Sequence, residues 1–148
     1  MDIKGLNTLR IGRDTSTQNI YHISSTTNNR VKLFNNFCAA RYLINAMRSQ
    51  SHAVETLCFV IMPDHFHWLF QRLSEDADLG NIVQQVKHKT AFKMKAKGDM
   101  LWETGFQDHA LRKKENIEGL ARYIVNNPVR AGLVKSVRFY PHWDAIWV

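Results

Sequence analysis

Two histidines lie two residues apart in a short apolar segment, at His65 and His67. If this segment is a β-strand, alternate side chains point to the same face, so both imidazoles share one face and Phe66 and Trp68 share the other. Paired imidazoles on one face are typical of an open metal site with a third ligand from elsewhere. The alternatives are a pair of hydrogen-bonded surface histidines and a structural zinc site, which usually requires thiolates.

A second candidate for chemistry is Tyr123, in a segment predicted to be helical from residue 115 to about residue 126. On a helical projection, Tyr123 lies just outside the buried stripe and Asn127 lies about one turn further on. The stripe consists of Ile117, Leu120, Ala121, Ile124 and Val125. At this position the ring is partly packed and the hydroxyl is free. From the pattern alone, an amphipathic tyrosine that reaches water is the favoured interpretation.

The charge of the chain favours a nucleic-acid partner. Twenty Lys and Arg residues against thirteen Asp and Glu residues give a formal net charge of +7. Such a surface attracts phosphates, and binding releases counterions. Candidate phosphate-binding residues are Lys87, Lys93, Arg112, Lys113 and Lys114. A lysine-rich helix end is, however, more commonly a solvated face.

The length and composition predict one domain over residues 1–148, with an N-terminal arm (1–19) and a C-terminal extension (129–148). No run approaches the ~18–20 consecutive apolar residues of a membrane span, and the N-terminus lacks the apolar segment of a secretory signal. Cys38 and Cys58 are isolated in the sequence and are predicted to be reduced thiols. These features predict a cytoplasmic protein without a membrane partner.

The apolar patterns predict the element order β-α-β-β-α-β-α. The predicted elements span residues 20–27, 35–49, 54–62, 65–72, 79–97, 106–112 and 115–126. Gly98 is predicted to end the fifth element and Pro128 the last. Strands 54–62 and 65–72 flank the turn signal Pro63-Asp64 and are predicted to form a hairpin. This order is typical of an α+β ferredoxin-like fold, with helices on one face of an antiparallel sheet and the other face open.

The histidine triplet and the tyrosine helix together resemble a known family. His65-Phe66-His67 in a strand is followed on a late helix by Tyr123 and the continuation 124–134, which includes Asn127-Pro128. This combination is similar to the single-tyrosine HUH transposases of bacterial insertion sequences, and among them to the REP-associated tyrosine transposases. The likeness extends from Gly12-Arg13 to Pro141-His142-Trp143 and so covers nearly the whole chain.

The resemblance implies a fold, a metal and a reaction. The fold is ferredoxin-like, with the nucleophile, Tyr123, on a late helix. His65, His67 and Asn127 would bind a divalent metal ion, Mg²⁺ or Mn²⁺. The substrate would be single-stranded DNA beside a hairpin, cleaved by a monomer or homodimer through a 5′-phosphotyrosine intermediate. A neutral phenol is a poor nucleophile at pH 7, so a metal that polarises the phosphate fits this chemistry.

Further residues take provisional roles from the same resemblance. Arg10 and Arg13 lie in the N-terminal Gly-Arg region and are expected near the DNA hairpin. Asp108 and His109 are expected near the site, where His109 is either a proton carrier or a hydrogen-bonded strand residue. Two other functions stay open: an HUH nickase that initiates replication, and a non-catalytic nucleic-acid-binding module. The nickase would usually be longer or joined to a helicase, and the module would need aromatic residues on the open face.

Overall fold

The computed structural model describes residues 19–112 and 116–147. Its strands are β1 (Ile20–Thr26), β2 (Val54–Met62), β3 (His65–Arg72), β4 (Gln107–Ala110) and β5 (Trp143–Ala145). They form one antiparallel sheet in the order β4-β1-β3-β2-β5. The predicted α+β class is thereby confirmed. Arg10 and Arg13 lie outside the described residues, as do Lys113 and Lys114.

The described helices are α1 (Phe37–Arg48), α2 (Leu79–Lys93), α3 (Gly98–Leu101), α4 (Ile117–Val125) and α5 (Asn127–Arg130). Polar side chains cap three of them: the Asn36, Asp78 and Asn116 side chains accept hydrogen bonds from the first-turn amides of α1, α2 and α4. None of the helices in the described part of the chain has both the length and the hydropathy of a membrane span.

The β2–β3 hairpin has the bounds that the sequence predicts. Pro63 and Asp64 form its turn, and two backbone hydrogen bonds hold that turn in place. The Phe34 amide donates to the Pro63 carbonyl and the Thr27 amide donates to the Asp64 carbonyl, each at 2.9 Å. The residue that begins β3, His65, therefore has a fixed position.

Helices α1 and α2 cover the first face of the sheet. The β3 side chains on this face, Phe66, Trp68 and Phe70, are fully buried in the core that these helices share with the sheet. The buried indole N–H of Trp68 has a hydrogen-bond partner, because Nε1 donates to Thr56 Oγ1 at 2.9 Å. This core fixes which way the alternate residues of β3 point.

The second face differs from the predicted open face. Helix α4 packs on it over β2, where Ala121, Ile124 and Val125 join Leu57, Cys58, Val60 and Met62 in a second apolar cluster. The cause lies in β2, which is apolar on both faces and has a register irregularity between Thr56 and Cys58. A strand that is apolar on both faces needs cover on both.

Three further differences concern element ends. Helix α2 ends at Lys93, and Lys95 adopts a left-handed conformation (φ 56°), so Gly98 begins α3 and does not end α2. Pro128 lies in the first turn of α5, where its missing N–H is tolerated. The C-terminal extension contributes the edge strand β5, which pairs with β2.

The packing of α4 can be tested by stability. Ile124→Ala is expected to lower the free energy of unfolding by about 2–4 kcal/mol, because it truncates a fully buried side chain between α4 and β2. Tyr123→Phe, one residue away on the exposed side, should change it by less than about 0.5 kcal/mol. Urea denaturation followed by circular dichroism measures both. Equal values for the two variants would contradict the packing of α4 on the sheet.

Candidate active site

His65 and His67 lie together on the second face, as the alternation predicts. They pair across the sheet with Thr26 and Ser24 of β1. Their ring centroids are 5.0 Å apart and their planes are nearly perpendicular, at 86°. Both rings are partly exposed, so they can receive a ligand from outside the sheet.

An acidic side chain holds the His65 ring. His65 Nδ1 lies 2.7 Å from Asp64 Oδ1, and the other carboxylate oxygen lies 3.3 Å from Arg30 Nε. Burial acts to raise the pKa of Asp64, but the hydrogen bond and charge of His65 and the charge of Arg30 hold it below its usual value. Because a carboxylate only accepts hydrogen bonds, this contact directs the Nδ1 proton of His65 to Asp64 and turns Nε2 away from the carboxylate, where a ligand can approach.

A third histidine holds the His67 ring. His67 Nδ1 lies 3.0 Å from Nε2 of His22 on β1. Burial and the nearby charges of His65, His22 and Arg130 lower the pKa of His67 to about 3. Burial and His109 also lower the pKa of His22. Both rings are therefore neutral at neutral pH, the form in which imidazole binds metals.

Tyr123 projects from the exposed side of α4, and 61% of its surface is accessible. The Arg130 guanidinium lies over its ring, with Cζ 3.7 Å from the ring centroid. Such a cation–π contact orients both side chains without using the hydroxyl. The phenolic oxygen therefore remains available for chemistry.

Arg130 links the tyrosine to the histidines. It covers the Tyr123 ring, and its charge is among those that depress the pKa of His67. Since α4 packs on the face that carries the histidines, Tyr123, Arg130 and His67 lie on the same side of the sheet in a single chain. An anionic group placed among these side chains would meet a guanidinium and two imidazoles.

Asn127 lies in the first turn of α5, which contacts β2. Its Nδ2 donates to the Ile124 carbonyl at 2.8 Å, so Oδ1 is the atom that can bind a cation. No three His, Cys, Asp or Glu side chains group as a metal site in residues 19–112 and 116–147. The predicted third ligand is of a different type, and its role stays a prediction.

A polar cavity of about 320 Å³ opens beside His65 and His67. Its wall combines the end of β1, Arg30, the loop of residues 103–106 and Gln107 at the start of β4. Lys87 holds that loop, because its Nζ donates to the Glu103 carbonyl at 2.9 Å and the Gly105 carbonyl at 2.7 Å. Burial lowers the pKa of Lys87, although Glu103 opposes the shift. The structure thus gives Lys87 a structural role, and its predicted DNA contact stays a prediction.

The other predicted DNA-binding residues are dispersed. Lys93 is exposed at the end of α2, and Arg112 is exposed two residues after β4. Asp108 and His109 were both expected near the site. His109 lies opposite His22 on the second face, whereas Asp108 lies opposite Ile23 and so belongs to the first face. Asp108 therefore does not share the histidine face, because adjacent strand residues point to opposite faces.

Sequence reasoning missed four side chains that hold or flank the site. They are His22, Arg30, Asp64 and Arg130. Asp64 was interpreted only as part of a turn, and the alternation of β1 could have placed His22 on the histidine face. The contacts of the two arginines depend on the tertiary fold and have no local signal.

The comparisons with known proteins agree on one family. Residues 15–127 match the family model described as "Transposase IS200 like". A REP-associated tyrosine transposase of Escherichia coli strain K12 is 28% identical over 87 residues, which are 59% of this chain and 52% of that protein. A provisionally described one from Haemophilus influenzae is 26% identical over 119 residues, 67% of this chain and 66% of that protein. The match therefore spans about half of the length of the first relative and about two thirds of the length of the second.

Two solved structures share the fold. A REP-associated tyrosine transposase bound to a REP hairpin has a TM-score of 0.70 and 23% identity, covering 85% of this chain and 76% of that one. A provisionally described transposase from Deinococcus radiodurans R1 has a TM-score of 0.51 and 18% identity, covering 72% of this chain and 88% of that one. At these identities the likeness supports the architecture alone.

The role of Lys87 can be tested by hydrogen exchange. Lys87→Met keeps the aliphatic stem and removes both bonds to the 103–105 loop, at a local cost of about 1 kcal/mol. Amides in residues 102–106 should then exchange about fivefold faster. Lys93→Met, on an exposed lysine of the same helix, is the matched control and should leave them unchanged. Unchanged exchange in Lys87→Met would refute the structural role.

Proposed function

The chain belongs to the IS200-like transposase family, and from this premise we propose that it is a metal-dependent DNA endonuclease and strand transferase. Its substrate is single-stranded DNA beside a hairpin, as the REP hairpin bound to a relative of the same fold suggests. The observation that carries the proposal is that α4, with Tyr123 and the Arg130 guanidinium over its ring, packs on the sheet face that carries His65 and His67. The cytoplasmic location stays the accompanying expectation.

The donor set fits a divalent metal ion. His65 and His67 each have Nδ1 engaged, by Asp64 and His22, so Nε2 is the atom left for a ligand. Asn127 would add an amide oxygen. Two imidazoles and an amide are softer than the oxygen shell that Mg²⁺ prefers, so we expect tighter binding of Mn²⁺, with Mg²⁺ as the cellular ion. A bound ion supplies electrostatic stabilisation of the reacting phosphate.

Tyr123 acts as the nucleophile. Its hydroxyl oxygen attacks phosphorus and loses its proton to solvent, the oxygen–phosphorus bond forms, and the bond from phosphorus to the 3′ oxygen breaks. The leaving oxygen takes up a proton and becomes a 3′-hydroxyl. The 5′-phosphotyrosine conserves the phosphodiester, so a second 3′-hydroxyl can displace the tyrosine and rejoin the strand without a further energy source.

Arg130 and other basic side chains bind the DNA phosphates in this proposal. The Arg130 guanidinium is placed to neutralise charge on the scissile phosphate while it keeps the Tyr123 ring in position. Lys93 and Arg112, with the undescribed Arg10, Arg13, Lys113 and Lys114, are the candidates for contacts along the strand and hairpin. The cavity beside His65 has room for a nucleotide next to the cleaved bond.

The nucleophile is tested with hairpin-flanked single-stranded DNA and Mn²⁺. Tyr123→Phe should abolish both cleavage and the covalent protein–DNA adduct on denaturing gels, by at least about 10³-fold, because no other group supplies the attacking oxygen. Tyr42→Phe, on α1 across the sheet, is the control and should retain activity. Undiminished cleavage by Tyr123→Phe would refute the assignment, and DNA binding by the parent chain without an adduct would favour the non-catalytic module.

Action within a single chain is tested by mixing variants. If Tyr123 and His67 of one chain form each site, an equimolar mixture of Tyr123→Phe and His67→Ala proteins should stay inactive. A dimer that exchanges tyrosine helices would combine an intact tyrosine with an intact histidine in part of the mixture. Recovered cleavage in the same DNA assay would therefore overturn the single-chain site.

A further inference from the structure

The His22–His67 contact has a chemical requirement. The two residues are diagonal neighbours on β1 and β3, since His22 pairs with Leu69 and Ser24 pairs with His67. Their ring centroids lie 5.1 Å apart, and Nε2 of His22 meets Nδ1 of His67 at 3.0 Å. A hydrogen bond between two neutral imidazoles needs one N–H and one bare nitrogen. Two arrangements satisfy it, and they place the proton of His67 on different nitrogens.

The two arrangements differ in their ability to bind a cation. If His67 carries its proton on Nδ1 and donates to His22, Nε2 of His67 is bare and can be a ligand. If His22 donates instead, the proton of His67 lies on Nε2, which then cannot bind a metal ion. His65 has no such choice, because its partner is the carboxylate of Asp64, which only accepts. The tautomer of His67 is therefore coupled to that of His22: His67 carries its proton on Nδ1 when Nε2 of His22 is bare and accepts it.

We propose that His22 is a positioning residue that accepts the Nδ1 proton of His67 and holds the Nε2 atom of that ring ready for the metal ion. The inference rests on the proposed function, since it assigns a role toward the metal of that same site. His22 is itself fixed, since β1 lies between β3 and β4 and His22 stands opposite His109. It does not touch the ion and acts through His67.

Metal affinity and tautomer are the two readouts. His22→Leu fills similar space without an acceptor, whereas His22→Gln keeps an amide oxygen that can accept from His67. Loss of an outer partner of a metal-binding histidine typically costs about 10–100-fold in affinity. We expect Mn²⁺ binding, measured calorimetrically without DNA, to weaken by that factor in His22→Leu and to recover to within about threefold of the parent in His22→Gln.

The tautomer is read from side-chain ¹⁵N spectra of the metal-free protein at neutral pH. The parent and His22→Gln should show His67 protonated on Nδ1, and His22→Leu should show a mixture. His52→Gln, which removes an exposed imidazole in the turn before β2, is the control and should match the parent in both measurements. Circular dichroism confirms that each variant is folded.

The outcomes separate the two proposals. If the parent binds Mn²⁺ and His22→Leu binds it equally well, the positioning role is refuted while the proposed function stands. If the parent shows His67 protonated on Nε2, the positioning role is likewise refuted. If the parent binds no Mn²⁺ at all, the metal dependence in the proposed function fails and the role of His22 fails with it.

Discussion

The alternation of side chains along β3 is the constraint on which the site depends. Burial of Phe66, Trp68 and Phe70 stabilises the fold by about 1.5–3 kcal/mol for each aromatic side chain. A shift of one residue in register would expose these three rings and bury His65 and His67, so the apolar core opposes it. The aromatic core on one face therefore decides where the imidazoles of the other face point.

The second face of the sheet is apolar over β2 and carries histidines toward β1. Over β2 it is apolar, and α4 packs there through Ile124 and its neighbours. Toward β1 it carries His22, His65 and His67. Because α4 packs on the apolar part, it lies on the same face of the sheet as the histidines, with Tyr123 on its exposed side.

The histidines of the site are held in two chemically different ways. Asp64 fixes His65 by a charged contact that is shared with Arg30, and His22 holds His67 through a neutral one. Burial and the surrounding positive charge keep His67 uncharged. In the proposed reaction, the two imidazoles would hold a divalent cation while Arg130 meets the phosphate, because the cation and the guanidinium both oppose the phosphate charge.

The sequence by itself determined the elements whose signals are local. The bounds of β2 and β3 were predicted residue for residue, because β-prone runs and a Pro-Asp turn are signals carried by neighbouring residues. The shared face of His65 and His67 follows from the two-residue period of a strand alone. Only the tertiary structure decided that α4 covers β2, that residues 143–145 add an edge strand, and that His22 meets His67 across 45 positions of sequence. Those contacts arise because the apolar side chains on both faces of the sheet must be buried and its polar side chains must be hydrogen-bonded. The residues that do this are far apart in the chain, so no local pattern predicts them.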